Sequence, residues 1–127
     1  KVKDVIGTAL ERAWRKRKQG IFIEIEVANE LEALTAAKKF KQLQGNDKIP
    51  DKKPCFIMFD NMTPAQIKKT MVKLKKLNLY NHILFEASGG INPKNITRYN
   101  ATGVDVLSLG YLTHSSKALN IEQLLLD

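Results

Sequence analysis

"CFIMFDNMTPAQIKKTMVKL", residues 55–74, decides the architecture. Its first five residues are apolar and end at Asp60, which suits a short buried strand, whereas Ile67, Met71 and Leu74 recur at the spacing of one helical face. Thr63 and Gln66 bracket the switch as a capping box, with Pro64 at the first helical position, where its missing N–H is not needed. A strand that ends in an acid and runs into a capped helix is one βα unit. The fold depends on how often that unit repeats.

It repeats on both sides. Upstream, Val5, Ile6, Ala9, Leu10, Ala13 and Trp14 predict an amphipathic helix over residues 4 to about 17, with Trp14 in the core and Gly20 marking the end. In "IFIEIEV", residues 21–27, Ile21, Ile23, Ile25 and Val27 share one face and Phe22, Glu24 and Glu26 the other. Two glutamates on one face cannot lie unpaired in an apolar layer. Asn29 and Glu32 then form a second capping box, Leu31, Leu34, Ala37 and Phe40 carry a helical stripe, and a lysine-bearing loop follows. Downstream, "HILFEA" is a strand, Asn92 and Pro93 open a short helix with Ile96 and Tyr99 inward, Gly103 closes it, and "VDVLSLG" is a fourth strand.

Strict alternation of helix and strand argues for parallel βαβ units, and right-handed crossovers put all strand C-termini on one rim. That rim receives Glu26, Asp60, residues 86–90 and Gly110. The sheet could be open and doubly wound or curved as half of a (β/α) barrel. The strand phases favour the barrel: Phe22, Glu24, Glu26, Phe56, Met58 and Asp60 face inward, and the isoleucine face packs on the helices. A half barrel leaves two edges unpaired, so the missing strands are expected from a longer polypeptide or a companion chain.

Composition sets wider bounds. With 127 residues, 43% hydrophobic and 27% charged, the chain can hold one core. No apolar run reaches the roughly 18 residues of a membrane helix, and "KVKDVIG" lacks a signal-peptide stretch. Cys55 is the single cysteine, which predicts a buried thiol and a reducing compartment, the cytoplasm or an organelle. A net charge of +8 favours anionic partners. The lysine runs read as solvated helix faces rather than a nucleic-acid surface, because aromatic residues are not interleaved with them.

Barrel sites lie on the C-terminal rim, with phosphate often held by the loops after the last two strands. Here those loops are "SGGINPKN" and "SLGYLTHSS". Backbone N–H groups of Ser88, Gly89 and Gly90 can turn toward an anion, helped by the following helix, while Gly110 permits close approach and Thr113, His114 and Ser115 offer donors. Glu26 and Asp60 suit Mg²⁺ shared with a phosphorylated substrate, or ribose hydroxyls; the competing role is a salt bridge to rim lysines. His82, at the opposite rim, reads as structural.

"IEIEVANELEAL", "FIMFDNMTPAQIKK" and "ILFEASGGINPKNITRYNATGVDVLSLGYLTHSSKALNI" together resemble the C-terminal half of the quinolinate phosphoribosyltransferase family, over about residues 3–121. The resemblance implies that residues 1–127 are the C-terminal part of one (β/α) barrel domain of the type II phosphoribosyltransferase kind, with the N-terminal sandwich domain and first barrel strands absent from this chain. It implies conversion of quinolinate and phosphoribosyl pyrophosphate to nicotinate mononucleotide, CO₂ and pyrophosphate, in NAD biosynthesis, with Mg²⁺ and in dimers or larger oligomers. Glu26 and Asp60 would contact the ribose and metal and steady positive charge at the anomeric carbon; Ser88, Gly89, Gly90 and Gly110 would hold the phosphate, with His114 nearby. Ala28 in place of a further acid, Tyr111 in place of a small residue, and the long basic loop at residues 44–54 depart from the family pattern. The rival readings are a phosphoribosyltransferase for nicotinate or another base, and a non-catalytic half barrel that binds phosphate or nucleic acid.

Overall fold

The computed structural model describes residues 4–17, 20, 22–45 and 54–114. Helices and strands alternate along them as α1 (Val5–Lys16), β1 (Ile23–Val27), α2 (Glu30–Gly45), β2 (Cys55–Asp60), α3 (Pro64–Lys76), β3 (Ile83–Ser88), α4 (Ile96–Asn100), β4 (Val106–Leu107) and α5 (Tyr111–His114). The sheet is parallel throughout, in the order β1-β2-β3-β4. That order separates the two candidate architectures. A doubly wound sheet reverses direction at a switch point, whereas successive right-handed crossovers without reversal lay every helix on one side. The chain is therefore an α/β half barrel, with one sheet face covered by helices.

The covered face holds the core. Ile57, Phe59, Phe85 and Ala87 from the strands and Phe40, Ile67 and Leu74 from the helices are completely buried. Phe59 stacks on Phe85 at 5.9 Å between centroids, and Tyr80 also stacks on Phe85, at 5.2 Å. Cys55 is a buried thiol outside any disulfide, and its Sγ accepts from Gln44 Nε2 at 3.7 Å. The opposite face is the barrel interior, and it is open: Phe22, Leu84 and Val106 are exposed, with Phe22 and Phe56 in ring contact at 5.3 Å. The alternation in β2 and β3 thus separates two apolar layers, one packed against helices and one uncovered.

Local signals positioned the helices well. Thr63 accepts from the Gln66 amide while the Gln66 side chain accepts from the Thr63 amide, completing the capping box of α3. At α2 the Glu32 amide donates to Asn29 Oδ1 at 3.0 Å, and the Glu32 carboxylate accepts from the Ala28 amide at 2.8 Å. Trp14 is buried beneath the Arg17 guanidinium, which lies 4.7 Å from the ring centroid. Among the described residues no helix is long and apolar enough to cross a membrane.

Several expectations need correction. Val5 and Leu31 are 70% and 74% exposed, and Ala9 is also exposed. Each lies two positions from a buried residue, Gly7 or Ala33, which is roughly 160° around the helix. Apolar residues near the right spacing therefore fell on the wrong side. Asn92 and Pro93 do not open a helix: α4 starts at Ile96, after a turn in which the Asn92 amide donates to Asn95 Oδ1 at 2.8 Å. The fourth strand is only two residues long, although its approach is secured by paired bonds between Asp105 and the Phe85 backbone, both 2.8 Å. Ile21, Ser115 and most of the basic loop, residues 46–53, lie outside the described residues.

Candidate functional site

Register partners in a parallel sheet point to the same face, so the pairing lists the open interior row by row. Lowest are Glu24, Phe56 and Leu84; next come Glu26, Met58, Glu86 and Val106; at the rim are Asp60 and Ser88. Glu26 and Asp60 do face the same way, but not at one level. One strand across and two residues along place their Cα atoms roughly 8 Å apart. That gap suits two contacts to one sugar better than two bonds to one ion. Among the described residues neither acid is ion-paired, so the competing salt-bridge role finds no support there.

Asp60 does accept one hydrogen bond, from Asn61 Nδ2 at 2.9 Å. Asn61 is left-handed, with φ of 52°, and its backbone N–H donates to the Ser88 carbonyl at 3.0 Å. Composition of the stretch contained a signal for this residue, since Asn tolerates αL better than other side chains do, but a single Asn after a strand does not identify itself.

The glycine turn follows directly. Gly89 and Gly90 have φ of 90° and 64°, and among the described residues no acceptor meets their N–H groups. The Gly90 carbonyl instead accepts from Asn95 Nδ2 at 2.9 Å and Asn92 Nδ2 at 3.2 Å. Its carbonyl is thereby turned away and held, leaving the amides available to an anion. The helix expected to assist is too short and starts too late, at Ile96, so its dipole contributes nothing to this turn.

The last loop is less committed. Gly110 is exposed, and a Cβ there would meet His114 Cδ2 at 3.6 Å, an ordinary contact, so the described structure does not demand glycine. Its carbonyl accepts from the His114 amide at 2.8 Å and from Thr113 Oγ1 at 3.1 Å, which occupies the threonine hydroxyl as a donor. His114 is exposed on α5. Between the two loops lies an open depression of about 300 Å³ lined by Asn92, Pro93, Lys94 and Tyr111. Lys94 brings a cation to this side that the sequence reading passed over. His82 sits at the opposite end of β3, where its carbonyl accepts from Gln44.

The sequence reading places Glu86 on the rim without a role in the site; the structure sets it one row lower, level with Glu26. It is buried, and the Ser108 hydroxyl donates to its Oε1. Below it, Glu24 is held above the usual carboxylate range, chiefly by burial, then by the charge of Glu86, a hydrogen bond shared with Glu86, and the charge of Glu26. The folded chain therefore binds a proton at Glu24 more tightly than the unfolded chain, whose value is near 4.5. Stability falls as pH rises from there through the raised folded value. Glu24→Gln is expected to match the parent near pH 4 and to exceed it at neutral pH. Solvent screening limits the gain to about 0.5 kcal/mol. Urea melts at the two pH values check this, and an equal gain at both would show that the acid pair is not its source.

Comparison with known proteins agrees with the fold. Residues 2–123 match the family model for the quinolinate phosphoribosyl transferase C-terminal domain. A probable carboxylating nicotinate-nucleotide pyrophosphorylase from Archaeoglobus fulgidus is 34% identical over 116 residues, covering 91% of this chain and 40% of the relative. The Rattus norvegicus enzyme of that name is 31% identical, with 91% and 35% covered. The crystal structure of NadC from Streptococcus pyogenes superposes with a TM-score of 0.64 at 28% identity, over 90% of this chain and 34% of that one. The chain thus spans between about a third and two fifths of the length of these relatives. With its rim acids, its glycine turn and a match that runs nearly end to end, the chain belongs to the quinolinate phosphoribosyl transferase family, in its C-terminal domain.

Proposed function

We propose that this chain forms the ribose-phosphate side of a site that transfers a phosphoribosyl group from phosphoribosyl pyrophosphate to quinolinate, with release of pyrophosphate and CO₂. The observation that carries the reading is the convergence, on one open face, of two acids without a cationic partner among the described residues and a glycine turn whose amides have no acceptor there. Asp60 and Glu26 accept hydrogen bonds from the ribose hydroxyls. As pyrophosphate leaves and positive charge grows at the anomeric carbon, their negative charge stabilises it, most effectively where water is excluded. The amides of Gly89 and Gly90 hold the 5′-phosphate, with Ser88 and Gly110 beside them and His114 and Lys94 supplying side-chain contacts.

Among the described residues no group of three or more His, Cys, Asp or Glu side chains could hold a metal ion. The donor set therefore fits Mg²⁺ only as one or two carboxylates completing a shell of pyrophosphate oxygens and water, and in that place the ion would neutralise the leaving group. The quinolinate pocket belongs to the remaining barrel strands, from a longer polypeptide or a companion chain, in a homodimer or larger oligomer. Their inner surface also covers Phe22, Leu84 and Val106, which are exposed here.

Calorimetric titration with phosphoribosyl pyrophosphate tests the reading. Binding is expected with Mg²⁺ and is expected to be lost in chelator. Absence of binding in both, together with tight and steeply salt-dependent binding of RNA, would move the function to the basic helices.

A further inference from the structure

We propose that Asn61 is a positioning residue that locks Asp60 to the glycine turn, so that the ribose and phosphate contacts are set as one unit. This deepens the ribose-phosphate reading above and rests on it for its ligand.

Three contacts of one side chain and its backbone carry the proposal. The amide Nδ2 of Asn61 donates to Asp60 Oδ1 at 2.9 Å, which removes one of the rotations open to that carboxylate. The backbone N–H of Asn61 donates to the Ser88 carbonyl at 3.0 Å, tying the end of β2 to the residue that starts the turn. Asn61 also lies close against Gly89: a Cβ added there would sit 2.6 Å from Asn61 Cγ and 3.0 Å from its backbone nitrogen. Gly89 is therefore glycine for two reasons, its φ of 90° and the presence of Asn61. This contact and the backbone bond from Asn61 to Ser88 together couple a shift of either loop to the other.

The left-handed backbone adds a further argument. A residue with φ of 52° is most easily glycine, which would leave the turn and Asp60 unbraced. Asparagine tolerates that conformation and contributes an amide that reaches both neighbours. The loop is held from its other side as well, because Tyr99 donates its hydroxyl proton to the Met62 carbonyl at 3.3 Å. Asn61 is thus fixed between β3 and α4 while its side chain faces the rim.

Asn61→Gly separates positioning from mere backbone tolerance, since glycine keeps the left-handed φ and removes only the side chain. In the full chain, affinity for phosphoribosyl pyrophosphate with Mg²⁺ is expected to fall about fivefold, the scale of one ordinary solvent-exposed hydrogen bond. In an Asp60→Asn background the same change is expected to have a much smaller effect, because Asn61 acts through Asp60. Exchange of the backbone amide at residue 61, which donates to the Ser88 carbonyl, measured without ligand, is expected to accelerate several-fold in Asn61→Gly. Parent-like affinity and parent-like exchange in Asn61→Gly would overturn the proposal, and so would the same loss of affinity in both backgrounds. If the parent chain itself binds no phosphoribosyl pyrophosphate, the ribose-phosphate reading fails, and the exchange rates alone then decide for or against Asn61 as the brace.

Discussion

Alanine at Asp60 is expected to lower the affinity for phosphoribosyl pyrophosphate with Mg²⁺ by a hundredfold or more, about 3 kcal/mol, while leaving the thermal melt nearly unchanged. The size follows from the chemistry at the rim. The carboxylate accepts charge-assisted bonds, which are roughly twice as strong as neutral ones, and it would also lie next to the metal-bearing pyrophosphate. The small effect on folding follows from position. Asp60 ends β2 at the open rim, is only half-buried, and among the described residues its one side-chain hydrogen-bond partner is the neighbouring Asn61. Glu26→Ala should behave similarly, since Glu26 is exposed one row lower on the next strand. Calorimetric titration and a melting curve on the same samples separate the two effects. Unchanged binding in both variants would remove the acids from the site, whereas lost binding with a collapsed melt would make them structural.

The largest expected effect on stability is that of Phe59→Ala. Phe59 is fully buried in the middle of the sheet, stacked on Phe85, one residue before the catalytic-site candidate Asp60. Truncation removes the transfer free energy of the ring and leaves a cavity between sheet and helices, together costing about 3–5 kcal/mol. A domain of this size is stable by roughly 5–15 kcal/mol in total. The half barrel also leaves Phe22, Leu84 and Val106 exposed, so its own margin is expected near the low end of that range. Denaturant melts should therefore show a large loss of midpoint or an unfolded chain at ambient temperature. A loss under 1 kcal/mol would mean that the helix-facing layer is not the core. Phe22→Ala, on the open face, is the contrasting case and should cost far less.

How far the sequence could be read depended on whether a signal was local. Thr63 and Gln66 identified the start of α3 because both hydrogen bonds of a capping box close within three residues. Asn92 and Pro93 looked equally like a helix start, yet the Asn92 side chain serves the Gly90 carbonyl and the Lys94 amide instead. Short polar side chains compete for nearby backbone groups, and their sequence does not say which group wins. Leu31 shows the same limit for apolar residues, since a stripe is defined by angle and two positions of error reverse the face.

The residues alone determined the repeating βα units, the two faces of each strand and the placing of Glu26 and Asp60 on the same face, because period-two alternation and right-handed crossovers follow from backbone geometry. Tertiary structure decided what depends on register between strands. Pairing of Glu26 with Met58 places that acid two residues below the level of Asp60, Ser108 meets Glu86, and Asn61 lies against Gly89. These contacts join residues 22 to 32 positions apart in the chain, and only the hydrogen-bonded alignment of neighbouring strands sets which of them touch.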